Sequence, residues 1–154
     1  MEELLKIYND DINDLFLDAI NNLNFNFVNS LVEYKLSLLV DVGPIALEYC
    51  SRNENKIKML QLLIDLGVNV NSDNGRAFLI AVKRGCYKSV QLLLEAGTDV
   101  HAMNNKAFYY AIEYRDIQIL QLLVKHHEES DEKENLKKIC RHLKPSKYMI
   151  RTDI

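Results

Sequence analysis

At 154 residues the chain has the length of one domain, and 48% hydrophobic with 27% charged residues suits a folded protein rather than a disordered one. The formal charge of −3, from 19 basic and 22 acidic residues, lacks the basic excess that nucleic-acid binding requires, and no apolar run approaches the roughly 18 residues of a membrane span. Cys50, Cys86 and Cys140 show no metal-type spacing, so reduced thiols are expected; with a start, Met1-Glu2-Glu3, unlike a secretory leader, the expected setting is intracellular, cytoplasmic or nuclear.

The tripeptide Gln-Leu-Leu begins at Gln61, Gln91 and Gln121, a fixed spacing of thirty residues. A unit of this length cannot bury its own apolar face, so its copies must stack. In chain order, a first and weakest copy pairs Leu15-Phe16-Leu17-Asp18-Ala19-Ile20 with Val28, Leu31 and Val32, without the glycines of later copies. The second opens at Gly43-Pro44, where proline at the first helical position sacrifices no hydrogen bond. It continues through Leu47, Cys50, Leu60, Leu62 and Leu63 to Gly67, with one extra residue near Asn53 to Lys56.

The third and clearest copy runs from Ala77 to Ala102 and predicts two short helices. Phe78, Ala81 and Val82 mark one helical face, and Val90 with Leu92, Leu93 and Leu94 mark a second. Gly85 and Gly97 end the two helices. The fourth copy, Ala107 to His126, repeats Phe108, Ala111 and Ile112. Ala81 and Ala111 are small enough to let neighbouring helices approach closely. Asn74 and Asn104 are placed to cap the helices that follow them. The units therefore fall at roughly 12–40, 43–72, 73–102 and 103–130 within a domain of residues 1–143. A capping helix is expected at 132–143 with the stripe Leu136, Ile139, Cys140 and Leu143, and a tail at 144–154.

The pattern Ala-x-x-x-Ala-Val-x-x-Gly followed by Val-x-Leu-Leu-Leu-x-x-Gly-x-Asp-Val-x-Ala resembles the ankyrin repeat. Only Thr98 and His101 stand where that family usually has alanine and asparagine. The resemblance implies an all-α solenoid of helix-turn-helix units whose first helices and turns line a concave face that binds proteins. The Thr-Pro-Leu-His signature is replaced by Arg76-Ala77-Phe78-Leu79, which implies weaker capping of first helices. The thirty-residue period, shorter than usual, implies shortened turns. The period and the Asn-x-x-Ala-Phe-x-x-Ala form resemble ankyrin copies abundant in giant DNA viruses, and a viral protein engaging a host protein is the expectation that follows.

In that family, contacts come from the two residues after the paired small residues of the first helix and from the turn tips. Here these are Asn21 and Asn22, Arg52 and Asn53, Lys83 and Arg84, and Glu113 and Tyr114, with Asn74, Arg76, Asn104 and Lys106 at the tips. Arg52, Asn53, Arg76, Lys83, Arg84, Lys106, Glu113 and Tyr114 form the predicted partner-binding set, Arg84 and Tyr114 foremost, because arginine and tyrosine dominate interface energetics. The competing reading is a solvated helix face.

No phosphate loop, nucleophile elbow or paired His-Glu motif is present, so no catalysis and no cofactor are expected. Cys86 beside Lys83 and Arg84 suggests either a reactive thiol or a small packing residue at a helix junction, the latter explaining more. His126, His127, Cys140 and His142 match no established zinc spacing. The expected entity is a monomer that binds a protein and neither nucleic acid nor membrane. The alternatives are a homo-oligomer formed through incompletely capped ends, suggested by Leu4, Leu5 and Ile7, and less readily a metal protein.

Overall fold

The computed structural model describes residues 12–129. The expected cap at 132–143, the apolar Leu4 to Ile7 segment, Cys140 and His142 lie outside them. The described elements are α1 (Ile12–Asn21), α2 (Phe25–Tyr34), α3 (Leu38–Asp41), α4 (Gly43–Ser51), a 3-10 turn (Glu54–Lys56), α5 (Ile57–Asp65), α6 (Ser72–Lys83), α7 (Tyr87–Glu95), α8 (Ala102–Glu113) and α9 (Ile117–Glu129). They form an all-α stack of four helix pairs, α1/α2, α4/α5, α6/α7 and α8/α9, in the order the repeat predicts.

The core is a ladder of equivalent positions. Phe16, Leu47, Phe78 and Phe108 are buried at the same place in successive first helices, and Leu31, Leu63, Leu93 and Leu123 in the second. Small residues, Ala46 and Cys50, Ala77 and Ala81, Ala107 and Ala111, are also buried, and they let α4, α6 and α8 pack closely. The second helices, built on leucine, touch each other less. A stack drawn tighter on one side bends toward that side. The first unit joins largely through α3, which touches α1, α2 and α4; among the described residues this short helix has no counterpart in the other units. The extra residue near Asn53 is absorbed by the 3-10 turn.

Polar staples link units across these seams. Lys56 Nζ donates to Asn21 O at 2.7 Å and lies 5.0 Å from the centre of the Tyr49 ring, placing a cation at the carbonyl end of α1, where the helix dipole favours it. The Tyr49 hydroxyl donates to Asn21 Oδ1. Lys88 N, at the start of α7, donates to Glu54 Oε1 at 3.1 Å. Asn71 bridges the next unit twice: its Nδ2 donates to Gly97 O at 3.1 Å and its Oδ1 accepts from Asp99 N at 2.9 Å.

The turns differ from the expectation that Asn74 and Asn104 cap helices. Asp73, Asn74 and Gly75 take φ of 51°, 56° and 72°, and Met103, Asn104 and Asn105 take 50°, 60° and 64°. Three successive left-handed residues reverse the chain in the space where a longer unit extends a hairpin. Asparagine is here for its tolerance of that conformation. Asn71 and His101, the residues that precede α6 and α8, make no side-chain cap bond.

Candidate protein-binding face

All eight residues of the predicted set are exposed, but they are not equivalent. Arg52, Arg84 and Tyr114 are the C-cap residues of α4, α6 and α8. The buried Cys50, Ala81 and Ala111 and the positive-φ residues Gly85 and Arg115 fix where each helix stops. One groove of about 380 Å³ brings together Arg52, Lys83, Arg84 and Tyr114, with Glu48 and the half-buried Ile80. It crosses three units.

Several charges in this neighbourhood are already engaged. Glu48 receives Arg52 at 2.5 Å and Arg76, from the next unit, at 2.8 Å. Lys83 Nζ lies 5.8 Å from the centre of the Tyr110 ring, whose other neighbours are Tyr109 and Tyr114. The groove thus combines an aliphatic floor, cationic walls and a phenolic lip. Of the remaining predicted residues, Asn53 Oδ1 accepts from Asn55 N at 3.0 Å and shapes its own turn. Asn21 is committed to Tyr49 and Lys56. Arg76 and Lys106 sit at the bases of their helices, just past the left-handed turns, and neither they, Asn53 nor Glu113 lines the groove.

Sequence reasoning missed Glu48 and Ile80. Both carried a signal: Glu48 stands four residues before Arg52 and Ile80 four before Arg84, the spacing that places side chains on one helical face.

The thiols are packing groups. Burial pushes the Cys50 thiol up to about 12. Cys86 is raised by burial, with the Glu54 charge adding to it and Arg84 opposing, the reverse of what a nucleophile needs. Cys50 and Cys86 are both free and buried. His126 Nε2 donates to Leu94 O at 2.9 Å, while His127 Nδ1 lies 3.1 Å from His101 Nε2, so the adjacent histidines point apart. Among the described residues no group of three or more His, Cys, Asp or Glu is placed to hold a metal ion. Nor is any helix among them long and apolar enough to cross a membrane.

The family model for ankyrin repeats (3 copies) matches residues 15–104 and 47–138, well over half of the chain. In the same comparisons no curated protein and no solved structure matches it.

Proposed function

Because this chain belongs to the ankyrin-repeat family, whose fold generally mediates non-enzymatic protein–protein interaction, we propose that it binds a partner protein through the curved face formed by α4, α6 and α8. The observation that carries this reading is the groove shared by Arg52, Lys83, Arg84 and Tyr114. Three units contribute to it, yet no core residue is spent on it. The helices supporting it are locked by their own packing, so docking orders little backbone and a few central contacts set the affinity.

In its finer form the proposal is a monomeric, intracellular protein, a setting supported by the buried free thiols Cys50 and Cys86. A viral source, with a host protein as partner, is supported by the thirty-residue period and the Asn-x-x-Ala-Phe-x-x-Ala form of the units. The test is affinity capture from cell lysate with the full chain and with the Arg84→Ala/Tyr114→Ala double variant. A partner held by the parent should be lost by the variant, the two truncations together costing about 2–4 kcal/mol as paired hot spots. Equal retention rejects the face. Sedimentation separates the homo-oligomer alternative, which requires mass to rise with concentration.

A further inference from the structure

The charge on this face opposes that of the molecule. The chain is net −3, yet the α4, α6 and α8 face displays Arg52, Arg76, Lys83, Arg84 and Lys106 against Glu48, Asp73 and Glu113. Glu48 engages Arg52 and Arg76, so among the described residues the groove charges without an ion-pair partner are Lys83 and Arg84. These two adjacent cations stand at the end of α6, the middle first helix of three. Beside them Ile80 is half-buried and Tyr114 stands half-exposed.

We propose that the groove receives an acidic peptide segment of the partner, with its carboxylates on Lys83 and Arg84 and an apolar side chain on Ile80 beside Tyr114. The proposal rests on the binding face assigned above and adds the chemistry of its occupant. A positive groove on a negative molecule draws acidic segments in and repels basic ones. Arg84 suits a carboxylate because its planar fork donates two parallel hydrogen bonds, and Lys83 supplies a second charge one residue away.

The same charges select against nucleic acid. Duplex DNA presents one negative charge per about 1.7 Å of its axis, a density that the two adjacent cations Lys83 and Arg84 do not match along the groove. A peptide rises about 3.3 Å per residue and alternates its faces, so it can present one or two carboxylates to these cations and an apolar side chain to Ile80.

The experiment selects short random peptides displayed on phage against the full chain, then measures the selected sequences as synthetic peptides. Peptides of net negative charge are expected. Their affinity should fall by at least about tenfold in Lys83→Glu/Arg84→Glu, and weaken as salt rises and the screening length drops below about 10 Å. Glu48→Gln, which frees Arg52 and Arg76, should tighten them. The charge-reversed variant must keep the parent's circular dichroism spectrum; if it does not, Lys83→Gln/Arg84→Gln replaces it with the same expected direction. Neutral or basic peptides that are lost on Tyr114→Ala overturn the acidic occupant and leave the face intact. Peptides insensitive to every substitution on the face overturn both readings, and an empty selection overturns the acidic segment. A mixed-sequence single-stranded oligonucleotide that displaces the acidic peptides at matched charge assigns the groove to nucleic acid instead.

Discussion

Truncating Phe78 to alanine tests whether the stack is held by its first-helix ladder. Phe78 is fully buried in α6, the middle of three closely packed first helices. Removing its ring forfeits roughly 100–150 Å² of apolar burial, which at about 25 cal/mol per Å² is about 3 kcal/mol. A residual cavity of roughly 40 Å³ adds about 1 kcal/mol. Because an extended reference chain overstates burial, the expected loss is about 3–4 kcal/mol. A folded segment of this length has only about 6–18 kcal/mol in total, so the effect should be large. In a linear stack it falls on two seams at once, so the outer units should begin to melt separately and the urea m-value should drop with the midpoint. Tyr109→Ala is the matched control, since Tyr109 occupies the position after the ladder in α8 and is 52% exposed; its cost should stay within about 0.5 kcal/mol. Urea titration followed by circular dichroism reads both. A loss below about 1 kcal/mol for Phe78→Ala with an unchanged m-value would refute the ladder.

Asn71→Ala removes the two hydrogen bonds to Gly97 O and Asp99 N, but both are exposed, so water recovers part of their worth. The expected destabilisation is about 1 kcal/mol, and a variant as stable as the parent in the same titration contradicts the staple. Gly97→Ala meets no atom within 4 Å, yet φ of 86° is strained for any side chain; a cost of about 1–2 kcal/mol is expected from backbone alone, read as a lower melting temperature. In a Cys140→Ser background the native protein should leave a thiol-specific disulfide reagent almost untouched at pH 8, because Cys50 and Cys86 are buried and their thiols are raised. Rapid labelling without denaturant would mean that the stack opens locally. The raised Cys50 also gives a sign for alkaline stability. The unfolded thiol ionises near pH 8.5–9 while the folded one holds its proton to about 12, so its contribution is intact below pH 8.5 and is lost as pH climbs through that interval.

Much of the fold was legible because the repeat forces equivalent residues into equivalent environments. Phe78 and Phe108, Ala81 and Ala111, and the Gln-Leu-Leu triplets announce both helices of a unit, and Gly85 and Gly97 announce their ends. What could not be read depends on contacts between units. Nothing local to Lys56 says that its ammonium caps α1, thirty-five residues earlier, and nothing local to Glu48 says that it engages an arginine from the following unit. The positions of Arg52, Lys83, Arg84 and Tyr114 follow directly from where each first helix must stop, and the structure brings these four into one groove. Arg76 and Lys106 were placed at projecting tips because the sequence does not distinguish a hairpin from a left-handed reversal; Asn and Gly serve both.

That reversal decides which side chains can project from the stack. A left-handed residue other than glycine costs roughly 1–2 kcal/mol, less for Asn and Asp, so two runs of three are retained against a local penalty. Close packing offsets it: a Cβ on Gly75 would stand 3.1 Å from the Ala102 Cβ, so the chain leaves one turn while already touching the next. A turn so tightly wound has no length with which to reach outward. Arg76, which a longer hairpin would carry toward a partner, instead reaches back to Glu48 at 2.8 Å. On the proposed binding face, the shortened unit leaves the ends of the first helices, where Lys83, Arg84 and Tyr114 are exposed, as the positions offered to a partner. Inserting a few residues into the 73–75 turn should disturb the Arg76 ion pair while leaving capture through Arg84 and Tyr114 unchanged, whereas a face built on the tips requires the same insertion to abolish binding.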